Sequence, residues 1–244
     1  MQLGLRDRRA LVFGASRGLG LAVARELVAE GARVCIVSRD AQRIGAAAQA
    51  MGASFAVADL TRPGEALRCT QEAIARMGGL DVLVCNSGGP PKAAFAAVDA
   101  AGWQAGFQNL WLSTTDAIGA ALPTMKASHF GRILLVTSVA AKEPMPGLTV
   151  SNGLRAGLLG LVKSLAPEVA ADGITVNALL PGYTRTERMV ELGVTDAQIA
   201  SQVPAGRMGE PEEFAAMAVF LASDRASYVT GQAIAIDGGW LRGI

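Results

Sequence analysis

Histidine is nearly missing from this 244-residue chain: His129 is the only one. A metal site of several imidazoles therefore cannot be assembled, and a Ser-His-Asp triad would have to be built around that one side chain. Its setting, Ser128-His129-Phe130-Gly131 ahead of an apolar run, reads as a surface turn. Cysteine is scarce too, with only Cys35, Cys69 and Cys85 and no C-x-x-C spacing. Neither a disulfide framework nor a zinc site follows from such a set. Cys35 and Cys85 sit inside apolar runs, where a free thiol behaves as a small hydrophobe. Charge of one sign is missing as well: 22 basic against 21 acidic side chains leave a net +1. That balance gives no electrostatic footprint for nucleic acid and no polybasic patch for a membrane surface. Mean hydropathy is +0.33, yet no run reaches the roughly 18 uncharged apolar residues of a spanning helix. Met1 to Arg9 carries charges and no apolar leader core, so a reducing cytoplasm is the expected compartment.

What the chain does have is apolar content, 51% against 18% charged, which excludes disorder. At this length roughly 70–75% of the unfolded surface can be buried, and one domain over 1–244 is expected. Short apolar runs alternate with segments of helical period. The runs are Ala10–Phe13, Val34–Val37, Ser54–Val57, Val82–Cys85, Ile133–Val136, Ile174–Asn177 and Ala233–Ile236. Near-continuous apolar character marks strands covered on both faces. Helical patterns run over Leu19–Glu30, Ala41–Met51, Glu65–Met77, Trp103–Lys126, Ser151–Ala171 and Pro211–Ser223. This alternation predicts an α/β fold: a doubly wound, seven-stranded parallel sheet with helices on both faces. Residues 185–209 are polar and loop-like, where a substrate lid would sit.

The first strand-to-helix turn is Phe13-Gly14-Ala15-Ser16-Arg17-Gly18-Leu19-Gly20. Gly14 permits a tight turn, Gly18 lets backbone approach a phosphate, and Gly20 allows close helix–strand packing. A pyrophosphate would rest on the helix N-terminus. With its Gly-x3-Gly-x-Gly spacing the chain resembles the short-chain dehydrogenase/reductase superfamily, in particular 3-oxoacyl-carrier-protein-reductase-like members. The resemblance runs from Gly4 to the C-terminus through Asp59-Leu60, Asn86-Ser87-Gly88, Asn109, Ser138, Asn177, Pro181–Thr186, Gly206–Pro211, Thr230–Gln232 and Asp237–Gly239. It implies a Rossmann-like domain with a nicotinamide cofactor across the carboxyl edge of the sheet. It also implies that Asp59 and Leu60 hold adenine, Asn86 and Gly88 line the ribose, and Pro181, Gly182, Thr184 and Thr186 hold the carboxamide and diphosphate.

The second strand ends Val37-Ser38-Arg39, with Ser38 where a carboxylate for the NAD ribose would stand. Arg39 and Arg17 can clamp a 2′-phosphate by forked, charge-assisted hydrogen bonds, so NADP(H) is the expected cofactor. Asp40 is read as a helix N-cap. The family's proton transfer uses a Tyr-x3-Lys pair, a serine on the preceding strand and an asparagine on the previous helix. Matching gives Ser138 and Asn109 for the last two, but Ser151 at the tyrosine position and Arg155 at the lysine. The only tyrosines, Tyr183 and Tyr228, are followed four residues later by Glu187 and Gln232. Residues four apart share a helix face, so Ser151 and Arg155 are expected in one pocket. Arg155 can still donate to the ribose hydroxyls of the cofactor and supply positive charge, but a guanidinium of pKa above about 12 passes no proton, and a serine is a far weaker acid than a phenol. Two functions remain open: a carbonyl reductase drawing its proton elsewhere, with Lys142 or Tyr183 as candidates, or an NADP(H)-binding sensor or partner subunit without turnover. The family's four-helix dimer interface, together with a second one through the C-terminal strand region, implies a homotetramer. The pocket is expected to be framed by 88–95, 140–149 and 183–206, with an apolar substrate body suggested by Met145 and Leu148.

Overall fold

The computed structural model describes residues 2–191 and 193–243. Seven strands form one parallel sheet in the order β3-β2-β1-β4-β5-β6-β7. They are β1 (Arg9–Phe13), β2 (Arg33–Ser38), β3 (Ser54–Val57), β4 (Val82–Cys85), β5 (Gly131–Val136), β6 (Ile174–Pro181) and β7 (Ala233–Ile236). The chain winds outward in one direction through β3 and in the other from β4, so the strand order reverses between β1 and β4. A crevice opens at the carboxyl ends of those two strands, where ligands of such sheets bind. Every residue of β4 and β5 is buried, because helices cover both faces. One face packs on α1 (Gly18–Ala29), α2 (Ala41–Met51) and α9 (Pro211–Ala222). The other packs on α3 (Glu65–Met77), α5 (Ser113–Ala127) and α6 (Thr149–Val169).

Local chemistry sets the helix ends. Asp40 accepts from the Arg43 backbone N–H at 2.9 Å and caps α2, which stops at Gly52 in the left-handed conformation (φ 71°). Glu210 and Glu213 form a capping box at α9, with Pro211 in the first turn. His129 is exposed, with φ 49°, as its turn setting suggests.

Two segments differ from the sequence expectation. The helical stretch over 103–126 is not continuous: α4 (Ala100–Phe107) widens into a π-type turn (Gln108–Leu112) before α5 resumes. Ser113 and Thr114 hydroxyls donate to the carbonyls of Asn109 and Leu110 and hold that turn. The stretch 185–209 carries two short helices, α7 (Glu187–Glu191) and α8 (Asp196–Gln202). Thr195 and Gln198 cap α8 reciprocally, and Arg185 bridges Asp196 (2.9 Å) and Glu210 (3.0 Å). Ile199, Val203 and Met208 form a small core of their own beneath it. No described helix is long and apolar enough to cross a membrane.

Candidate active site at the carboxyl edge of the sheet

Gly14 follows β1 with φ +61°, and a Cβ there would lie 2.7 Å from both the side-chain nitrogen and the carbonyl of Asn86. Asn86, just past β4, donates to the Gly14 carbonyl at 3.2 Å and so ties the two strand ends together. Gly20 faces that carbonyl with no room for a side chain. Gly18 (φ +56°) opens α1, whose first turn has no side-chain cap and no acidic residue. Its backbone N–H groups are thus left to an anion.

At the carboxyl end of β2, Ser16 and Ser38 hydroxyls hydrogen-bond at 2.9 Å. The Asp40 carboxylate at this corner is turned to the start of α2, which it caps. Burial alone would raise the Asp59 carboxyl, but donation from Thr61 and the charges of Arg39 and Arg62 hold it below its ordinary value. Leu60 packs on the core beside it. Of the two arginines expected at the 2′-phosphate, Arg17 pairs with Glu191 of α7 at 2.8 Å, both side chains being half-exposed. Arg39 stays on the Asp59 side.

A cavity of about 310 Å³ runs from the glycine turn to α6. Of the expected site residues it gathers Gly14, Arg17, Gly18, Leu19, Asn86, Gly88, Ser138, Ser151, Arg155, Pro181, Gly182, Thr184 and Thr186. Ser16, Gly20, Ser38, Arg39, Asp59, Leu60 and Asn109 lie outside its wall. Ser138 follows β5 in extended conformation, and its hydroxyl accepts from the Ala140 N–H at 3.1 Å. Ser151 sits in the first turn of α6 with Arg155 one turn on, both buried. The Arg155 Nε donates to Ser151 Oγ at 3.2 Å, while Nη1 donates to the carbonyls of Val136 (2.9 Å) and Thr137 (2.6 Å). Burial, with the nearby Arg188 charge, pulls the Arg155 guanidinium down to about 10, below the expected value above 12. It remains charged at neutral pH.

Two other expectations change. Asn109 does not join Ser138, Ser151 or Arg155; on the π turn its amide donates to the Gly88 carbonyl at 2.6 Å, so it positions the loop after β4. Lys142 is exposed and outside the cavity wall, whereas Tyr183 lines it, edge-on to Trp240. Sequence reasoning did not single out Thr137, Glu187 or Arg188, which also line the cavity. The last two fall within the span expected to frame the pocket, but no spacing marks them.

An uncapped helix start over a glycine elbow, at the point where the strand order reverses, defines an α/β protein of the dinucleotide-binding kind. A family model described as enoyl-(acyl carrier protein) reductase matches residues 14–241. Acetoacetyl-CoA reductase from Shinella zoogloeoides is 36% identical over 239 residues, covering 96% of this chain and 98% of the relative. 3-Oxoacyl-[acyl-carrier-protein] reductase FabG from Haemophilus influenzae is 36% identical over 249 residues, covering 96% and 98%. Among solved structures, YwfH, an NADPH-dependent reductase involved in bacilysin biosynthesis, superposes with a TM-score of 0.94 at 33% identity over 98% of this chain and all of its own. The chain belongs to the short-chain dehydrogenase/reductase superfamily.

Proposed function

We propose that this chain is an NADP(H)-dependent reductase that converts a carbonyl, of a 3-oxoacyl group or similar ketone, to a hydroxyl, with Ser151 and Arg155 in place of a Tyr-x3-Lys pair. The observation that carries this reading is the hydrogen-bond polarity around the two serines. Ser138 Oγ accepts from a backbone N–H and Ser151 Oγ accepts from a guanidinium, so each hydroxyl keeps its own proton for the cavity.

The residues present suit the cofactor. Gly14, Gly18 and Gly20 clear space at an uncapped helix start, and Ser16, Ser38 and Arg39 offer donors, with Ser38 rather than a carboxylate as the last residue of β2. When bound, NADPH supplies the hydride and leaves as NADP+. The chain's own part is to orient the carbonyl and stabilise its oxygen. Hydroxyls aimed at a developing alkoxide, beside a buried cation, act where water is excluded, and one such donor is typically worth about 10²–10³ in rate. Ser151 then passes its proton to that oxygen and is reprotonated by water. Because a serine is a weaker acid than a phenol, about 10²–10⁴ of the usual proton-transfer advantage is forfeited. The whole chain serves as one domain in this reading, with 185–209 as its lid and Tyr183 as part of the substrate wall. The relatives named as acetoacetyl-CoA and 3-oxoacyl reductases support the ketone class.

A second reading, a cofactor-binding sensor or partner subunit without turnover, is favoured by one observation: Arg155 spends Nη1 on two backbone carbonyls. NADPH oxidation against 3-oxoacyl thioesters, ketones, quinones and aldehydes separates the two. Turnover on a panel member supports the reductase, and tight NADPH binding with none supports the sensor. The double variant Ser151→Tyr with Arg155→Lys is expected to raise turnover at least tenfold; unchanged rates would contradict the assigned proton path.

A further inference from the structure

Helix α7 is five residues long and lies against the turn where the cofactor's phosphates are expected. Its first and last residues, Glu187 and Glu191, are four apart and share a face. Each carboxylate meets an anion-binding feature of the glycine turn. Glu191 Oε1 pairs with Arg17 Nη2 at 2.8 Å, and its Oε2 lies 3.4 Å from Arg188 Nη1. Donation from Arg17, joined by Arg188, holds the Glu191 carboxyl below its ordinary value. Glu187 Oε2 stands 3.8 Å from the position a Gly18 Cβ would take, at the start of α1. That start has no side-chain cap and no acid in its own first turn. The helix itself is lightly held. None of its residues is buried, and Val190 is 79% exposed. A 2′-phosphate and a diphosphate carry the same sign of charge as these carboxylates and seek the same donors.

We propose that α7 is a strap over the cofactor site, with Glu191 holding Arg17 in place of the 2′-phosphate and Glu187 facing the α1 start in place of the diphosphate. Cofactor binding and release of α7 from the glycine turn are then one coupled event, because the two anions compete for one set of donors. The inference rests on NADP(H) as the cofactor and holds whatever the reaction. Arg188 and Met189, on the same helix, line the cavity. Release of α7 therefore also shifts this part of the wall, and the cofactor enters before the substrate.

Calorimetric titration of the full chain with NADPH and with NADH tests the strap in E191Q and E187Q, with E26Q, an exposed position on α1, as the charge control. E191Q is expected to bind NADPH about threefold or more tighter than wild type, the scale of an exposed ion pair. Its NADH affinity stays unchanged, because only the 2′-phosphate competes at Arg17. E187Q is expected to tighten both cofactors, which share the diphosphate, and E26Q neither. In an R17Q background the E191Q gain vanishes. Movement is read separately: Cys35, Cys69 and Cys85 are buried, so V190C takes one fluorophore on α7. Its anisotropy is expected to fall on saturation with NADPH. Unchanged NADPH affinity in E191Q, an equal gain in E26Q, or constant anisotropy overturns the strap and leaves the NADPH preference and the reductase intact. Failure of wild type and every variant to bind NADPH overturns the strap and the cofactor assignment together.

Discussion

Arg155 shows how one side chain can be both structural strut and chemical group. Two of its hydrogen bonds join α6 to the end of β5, a third holds Ser151 on the same helix, and the strand's next residues carry Ser138 to the cavity. Replacing it with methionine orphans two carbonyls, each worth about 1–3 kcal/mol if left dry. The same change removes a buried charge with no acidic partner, which returns part of that loss. The Arg155→Met variant is therefore expected to unfold within about 2 kcal/mol of the wild type while kcat/KM falls at least a hundredfold. Denaturant unfolding beside steady-state rates checks this; a large stability loss would make the residue chiefly a strut. Sequence spacing put Ser151 and Arg155 on one helix face. It did not reveal the carbonyl partners or Arg188, because those depend on where distant segments land.

At the scale of elements, the two edges of the sheet do different work. At the amino edge, Asp81 before β4 accepts from the Arg9 backbone N–H (2.8 Å) and from its guanidinium (2.8 and 2.7 Å), knitting β4 to β1. Burial alone would raise this carboxyl, but those hydrogen bonds and the Arg9 charge hold it below its ordinary value. Its contribution is therefore present above the unfolded pKa of about 3.9 and is lost as pH falls through the lower folded value. The Asp81→Asn variant should cost about 1–3 kcal/mol at pH 7. It should also flatten the loss of stability below pH 4, with NADPH affinity unchanged at the opposite edge. A titration of unfolding free energy from pH 2 to 7 reads both effects. Ser54–Val57, Val82–Cys85 and Ala233–Ile236 were legible to the residue, because each is a short apolar run between turn formers. The π turn was not, since Gln108–Leu112 contains neither proline nor glycine to mark a break in the helix. Helices α7 and α8, at five and seven residues, are too short to show a period and depend on Arg185, the Thr195 cap and a three-residue core.

For the whole molecule, the helices beside α6 leave Phe107 and Leu112 exposed, with Phe107 stacked on Trp111. Gly119, Gly153 and Gly160 have no neighbour within 4 Å of a Cβ position. Such a face favours association, and we propose a homotetramer. Light scattering at micromolar concentration is expected to give four times the 25.1-kDa chain mass; a clean monomer would refute it. The doubly wound topology was legible from the alternation of runs, since parallel strands covered on both faces leave few other arrangements. Cofactor choice is the claim on which site, reaction and substrate class all stand. Calorimetric titration of the purified chain with NADPH and with NADH tests it most directly. The account predicts binding of NADPH at least tenfold tighter than of NADH, whereas indifference to both or a preference for NADH would contradict it.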